Sequence, residues 1–416
     1  MNFIRYIVLA FTFLLTTLLY VDRIAISIAK NQITTELAMT DTQFGWALSA
    51  FALGYAIFQA PAGAIADRYG PRIVLATIVI LWSLFTGLTG LAWGVGSLVL
   101  IRFLFGAAEA GAFPCCARVV YLWFPAAERA LAQGINLSGT RVGAAFALPM
   151  LAWLVDSAGW RSTFFVLGAV GVIWAAGWQV WFRNSPEEHA WVSEKEKAHI
   201  VSRRGAAPIN AQPPASTVLW HSWNLRLAMG QYFVSCFIFF FCLTWLFPHL
   251  QRTYGLSTVE TGFLAAVPLL GGACGNWVGG GLVDVLHRRG YVSKCYSVVA
   301  ILGFLLAVVG LAGSLTAEDA PSAVAWLTLA IFGADMTLPP SWAFCIAIGG
   351  PHSGVVSGMM NMAGNIGAFV TALAFPYMLA TFGSTDPFFV TGMLLSLIAA
   401  YIWTLVRPEK LLDSAK

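Results

Sequence analysis

Runs of roughly 20 apolar residues recur along nearly the whole chain, each long enough to cross the hydrocarbon of a bilayer. Of 416 residues, 59% are hydrophobic and 10% charged, against about 25% charged in soluble domains. A soluble fold would need solid apolar helices with almost no polar face. The pattern predicts an all-α membrane protein with twelve transmembrane helices in two six-helix bundles. Spans are expected near 5–30, 44–65, 73–93, 96–117, 129–155, 160–182, 226–250, 261–284, 294–316, 321–348, 354–380 and 386–406.

With the N-terminus inside, 17 of the 23 Lys and Arg fall in cytoplasmic segments. Cytoplasmic loops carry such an excess, so both termini are expected on the cytoplasmic side of the inner (plasma) membrane. The first apolar run has one basic residue and no small-residue cleavage site before Asp22, which reads as an uncleaved first helix. Seven Cys without a CxxC pair and six scattered His imply no disulfide framework, metal site or cofactor. No nucleophile–base pair argues for an enzyme. Nothing calls for a nucleic-acid partner, and a monomer in the lipid bilayer is expected.

The longest polar segment divides the spans six and six. It gives an N-terminal bundle at 1–182, a cytoplasmic linker at 183–225, a C-terminal bundle at 226–407 and a tail at 408–416. The linker begins charged and helical in pattern, then turns Pro/Ala/Ser-rich and flexible. The halves echo each other: "GAIADRYGPR" (63–72) joins spans two and three, and "GGLVDVLHRRG" (280–290) joins spans eight and nine. Asp67 and Asp284 lie 217 residues apart, close to half the chain. Repeated halves of this kind typify carriers that alternate access around a central site.

"GAIADRYGPR" resembles the signature loop of the major facilitator superfamily, matched at Gly63, Asp67, Arg68, Gly70 and Arg72; the second copy, with Asp284, is degenerate. Asp67 can accept from backbone amides at a helix N-terminus, while Arg68 and Arg72 can reach carboxylates or helix C-termini. Such contacts would latch an inner gate in one state. A solvated turn that only fixes topology is the alternative.

Ionisable residues inside spans are rare and mark transport or proton pathways. Here they are Asp22, Arg23, Arg102, Glu109, Arg141 and Asp335, five of the six in the N-terminal half. Asp22 follows Arg5 by roughly 25 Å of helix, past the midplane, and Arg23 is turned about 100° from it. Arg102 and Glu109 stand two turns apart on one face, about 10 Å. Small residues around Glu109 (Gly106, Ala107, Ala108, Ala110, Gly111) permit close helix approach. That packing strips hydration from a charged carboxylate and suits it to exchange a proton. Snorkelling to headgroups remains open for Arg23 and Arg102, as does a structural cap or partner role for Asp22.

"YVDR", "RFLFGAAEAGAFP", "WFPAAERA", "GWRSTF", "PEEHAWVSEKE", "CLTWLFP", "PPSWA" and "SGMMNMAGNIGAF" resemble the anion:cation symporter family, across both halves. The resemblance implies import of an organic anion, many members being proton-coupled. It places Asp22 and Glu109 as proton-titrating carboxylates and Arg23 and Arg102 as arginines of substrate binding and coupling. Tyr55 matches a cavity-lining tyrosine, with Gln59 one turn on. Thr140 stands where galactonate transporters of the family have Gln, and Arg141 is added beside it. Trp342 and Asn361 fall where that group contacts the sugar acid, but Pro339 replaces a serine. These departures tell against galactonate itself and leave the class intact. Chemically the set is coherent: Arg matches a carboxylate with a planar fork, and Tyr55, Gln59, Thr140 and Asn361 offer mixed donors and acceptors for hydroxyls. Tyr55, Trp342 and Asn361 can equally be packing residues.

The expectation is a proton-coupled symporter importing a sugar acid (hexonate, aldarate or hexuronate) by alternating access. A carrier of another carboxylate, aromatic or dicarboxylic, or an efflux carrier of the same superfamily remains open. Three arginines inside spans fit poorly with an exporter of amphipathic cations.

Overall fold

The computed structural model describes residues 3–205 and 214–412. The middle of the expected linker (206–213) and the end of the expected tail (413–416) lie outside the described residues.

The helices begin where the chain supplies caps. After α1 (Ile4–Ile28) and the short α2 (Lys30–Glu36), α3 (Asp41–Tyr69) opens on a reciprocal capping box between Thr40 and Gln43. Gly70, at φ 80°, ends it, and Pro71 starts α4 (Pro71–Thr89). The fourth apolar run is split into α5 (Val95–Glu109) and α6 (Ala112–Trp123). Pro114 has no N–H to offer the carbonyl of Ala110, which accounts for the break directly after Glu109.

α7 (Arg129–Trp181) would be about 80 Å long if unbroken, against roughly 30 Å of hydrocarbon. It breaks at Gly159, where φ 78° and ψ 159° interrupt the helix. After α8 (Glu194–Arg204) and α9 (Ser216–His221) come α10 (Trp223–Thr244), α11 (Leu246–Tyr254), α12 (Thr258–Arg288) and α13 (Cys295–Leu315). α14 (Ala320–Met336) and α15 (Leu338–Gly349) are separated at Thr337, where Pro339 and Pro340 withdraw two amide donors. A short turn at Gly350–His352 then leads to α16 (Ser353–Phe382), followed by α17 (Asp386–Thr404).

Ten of the described helical runs are long and apolar enough to cross a membrane. Division of α7 at Gly159 and of the 320–382 run at Gly350 yields twelve crossings, at the positions expected from the apolar runs.

The chain gathers into two compact units, one drawn from 1–125, 142–213 and 349–358 and the other from 126–141, 214–348 and 359–416. Each therefore takes a short piece from the other sequence half.

Candidate functional site

In unit one the charged residues of α1 and α5 converge. The Arg23 Nε donates to both oxygens of Glu109 at 3.1 Å, 86 residues away in sequence. Glu109 is wholly buried and the Arg23 side chain 15% exposed. The Arg23 guanidinium also lies over the rings of Tyr55 (4.3 Å), Phe51 (5.1 Å) and Tyr20 (5.3 Å). An aromatic face suits a weakly hydrated, delocalised cation. Asp22, turned the other way on the same helix, is buried within electrostatic reach of Glu109 and Arg102 and beside Trp82.

Arg102 is 2% exposed, and its Nε is buried without a hydrogen-bond partner. Its guanidinium rests over Phe105 (4.5 Å) and Phe51 (4.9 Å), and among the described residues it makes no ion pair. Gln59, also buried, has neither amide atom hydrogen-bonded. Unit one thus presents an Arg23 neutralised by Glu109 but with its Nη2 unpartnered, an Arg102 with its Nε unpartnered and a buried amide with unused capacity. This is the equipment for receiving an oxygen-rich anion.

In unit two, Arg141 sits beside a carboxylate. Its Nε and Nη2 donate to Asp335 at 2.7 and 2.6 Å, and its Nη1 donates to Thr140 Oγ1 at 2.8 Å. The Thr140 hydroxyl in turn donates to the Leu137 carbonyl. Trp342 is buried and donates through Nε1 to the Tyr232 hydroxyl at 2.8 Å. Asn361 is buried with its Nδ2 unpartnered.

The two repeated loops perform the same local task in separate units. Asp67 accepts from the amides of Gly354 and Val355 at 2.9 Å, at the N-terminus of α16, with the Arg118 Nε at 3.7 Å. Asp284 accepts from the amides of Ala130 and Leu131 at 3.1 and 3.0 Å, at the N-terminus of α7. Both carboxylates satisfy orphan donors at the positive end of a helix. The glycine four residues before each acid permits the approach: a Cβ at Gly63 would strike the Gly354 carbonyl, and one at Gly280 the backbone of Ala130 and Leu131. Arg72 donates through Nε and Nη2 to the Gln179 carbonyl, near the C-terminal end of α7. Arg68 is exposed, its guanidinium over the Tyr69 ring.

The structure thus brings Asp22, Arg23, Tyr55, Arg102 and Glu109 together. It gives Glu109 to Arg23 rather than to Arg102 on its own helix face. Arg141 meets Asp335, an acid to which sequence reasoning assigned no firm role. That reading also missed Asn276, whose Nδ2 donates to Asp335 at 3.2 Å, and the buried Arg118 beside Asp67. A polar amide in the middle of "GACGNWVGG" was the available signal for Asn276.

The sequence profile of the Major Facilitator Superfamily matches residues 12–372. Among relatives, the protein named "Probable sulfoacetate transporter SauU" of Cupriavidus necator is 33% identical, over 99% of this chain and 95% of its own. "Probable galactarate/D-glucarate transporter GarP" of Escherichia coli K12 is 31% identical over 90% of this chain and 88% of its own. The "D-galactonate transporter" of Escherichia coli O6:H1 is 30% identical over 91% and 90%. Two solved structures share the fold. The proton:xylose symporter XylE has a TM-score of 0.76 at 14% identity, over 97% of this chain and 96% of its own. FucP has a TM-score of 0.73 at 15% identity, over 96% and 98%.

Proposed function

Since the chain belongs to the major facilitator superfamily, and is therefore a multi-pass membrane transporter rather than an enzyme, we propose that it is a proton-coupled symporter importing an organic acid anion, in the first place a sugar acid, by alternating access. The observation that carries this reading is the wholly buried Glu109 paired to Arg23 while Arg102 stands without an ion pair. Relatives at 30–33% identity named for galactonate, galactarate/D-glucarate and sulfoacetate support the anionic cargo.

Glu109 takes up a proton from the outside, with Asp22 as the carboxylate that passes it on and is left ionised again. A protonated Glu109 no longer neutralises Arg23, and the freed guanidinium joins Arg102 in binding a carboxylate through charge-assisted, forked hydrogen bonds. Tyr55, Gln59, Thr140, Trp342 and Asn361 meet the hydroxyls and carbon face of the cargo. On the cytoplasmic side the proton and the anion leave, and the arginine is again held by its carboxylate for the return. Asp67 and Asp284 hold helix N-termini in one state of the cycle and release them in another, with Arg68 and Arg72 flanking the first of these latches. Both termini face the cytoplasm, and the carrier works as a monomer in the inner membrane. A carboxylate outside the sugar acids is the second reading, favoured by the relative named for sulfoacetate.

Uptake of galactonate, galactarate, hexuronates and sulfoacetate into proteoliposomes under an inward proton gradient tests the proposal. The wild type should accumulate at least one of them. Glu109→Gln should abolish gradient-driven accumulation while retaining exchange of labelled for unlabelled acid. Undiminished accumulation by that variant would refute the coupling scheme.

A further inference from the structure

Asp335 is a wholly buried acid with no part in the scheme above. We infer that Arg141 and Asp335 form a second exchangeable ion pair: Asp335 holds Arg141 until an anionic group of the cargo displaces it, so that the preferred substrate is an acid with two negative groups. The inference rests on the organic-acid reading and narrows its substrate class.

The first support is a recurrence. Glu109 is the last residue of α5, followed by the helix break that precedes Pro114. Asp335 lies in the last turn of α14, followed by the break that precedes Pro339. These are spans four and ten, counterparts in the two repeated halves. Each acid receives the Nε of an arginine from another span, Arg23 in one unit and Arg141 in the other. Half-helix ends at counterpart positions are where carriers of this architecture place cargo and coupling ions.

The second support is Asn276. Its Nδ2 donates to Asp335 Oδ2, while its Oδ1 is buried with no donor. An ionised Asp335 needs donors and finds them in Arg141 and Asn276 Nδ2. A protonated Asp335 needs an acceptor for its O–H, and Asn276 can supply one by turning its unused oxygen toward the acid and giving up the Nδ2 bond to the Gly272 carbonyl, 3.0 Å in the ionised arrangement. Asn276 therefore serves both protonation states, whereas a pair that never opened would leave that oxygen stranded. Space is kept as well: a Cβ at Gly272 would collide with Asp335 Oδ2.

The remaining contacts keep Arg141 in place when Asp335 lets go. Thr140 accepts from Nη1, and the guanidinium carbon lies 3.4 Å from the Phe239 ring centroid. Nε and Nη2 then turn from Asp335 to a carboxylate or sulfonate fork. The other titratable groups that feel Asp335 are the thiols of Cys236 and Cys242 on α10. Arg23 and Arg102 already serve one anionic group, so Arg141 provides for another. Asp335 takes one proton from the outside as that group binds and returns it inside as the group leaves.

The test compares galactarate, with two carboxylates, and galactonate, with one, on reconstituted full-length carrier. The wild type should prefer galactarate at least tenfold in apparent affinity. In R141Q/D335N, which leaves neither charge unpaired, that preference should fall at least tenfold. In D335N the galactarate accumulation ratio should drop by about tenfold per pH unit of gradient, the loss of one coupled proton. A pair that is only structural would lower uptake of both acids alike and leave preference and proton slope unchanged, and this result overturns the inference. A wild type that carries galactonate but shows no preference for galactarate overturns it too. A wild type that accumulates neither these acids nor sulfoacetate refutes the organic-acid reading itself.

Discussion

A guanidinium withdrawn from water gives up several kcal/mol of hydration, and Arg23 and Arg102 recover it differently. Arg23 has the Glu109 carboxylate and three aromatic rings. Arg102 has two rings and a buried Nε with no acceptor. In the proposed scheme a cation held ready in this way lowers stability for the sake of binding. Arg102→Gln should therefore weaken apparent affinity for the carried acid at least tenfold without lowering the melting temperature of the purified carrier. Arg23→Gln should lower it, because truncating one member of a buried pair leaves the other charge uncompensated, at about 3–5 kcal/mol. Thermal unfolding in detergent beside uptake checks both, and an Arg102→Gln protein less stable than Arg23→Gln would contradict the assignment. That these are charges set inside membrane spans was legible in the sequence. Their partners were not. Helical spacing puts Arg102 on the face of Glu109, but it carries no information on how α1 rotates against α5, and that rotation decides for Arg23.

At the scale of elements, the break points were partly legible. The apolar runs and the Gly and Pro residues marked the spans, yet the division after Glu109 was not foreseen, because a proline in a membrane helix bends or interrupts it only as its neighbours permit. One end of unit one depends on a smaller device. Glu36, at the end of α2, accepts from the Trp160 Nε1 at 2.6 Å and from the Arg161 Nε at 2.9 Å, just past the Gly159 break. Arg161 Nη1 also donates to the carbonyls of Gly90 and Ala92, so α2, the end of α4 and α7 are stitched together. The Trp160 bond, followed by Arg161, holds the Glu36 carboxyl below the usual carboxylate range. A depressed folded value means that the stabilisation is present above the unfolded value, about 4.3, and is lost as pH falls through the folded one. Glu36→Gln should thus melt earlier than wild type at pH 7, and the gap should close by about pH 3. An equal gap at both pH values would show that the carboxylate charge is not what joins these helices.

For the molecule as a whole the argument concerns charge. Each buried pair, Arg23 with Glu109 and Arg141 with Asp335, is neutral at rest. In the proposed cycle every negative group of the cargo replaces one carboxylate that has become neutral by taking a proton. The loaded protein then carries the same net charge as the empty one, whether the acid has one negative group or two. Membrane voltage has no grip on such a turnover, whereas a cycle moving one net charge would gain about 2.3 kcal/mol per 100 mV, roughly fiftyfold in accumulation at about 1.4 kcal/mol per factor of ten. Proteoliposomes clamped at 100 mV by a potassium gradient and valinomycin, with pH equal on both sides, should therefore accumulate acid less than about twofold. The same vesicles given one unit of inward pH gradient at zero voltage should accumulate about tenfold for each coupled proton. Strong accumulation driven by voltage alone would mean that a buried charge crosses unpaired, and that the resting ion pairs are scaffolding rather than the coupling device.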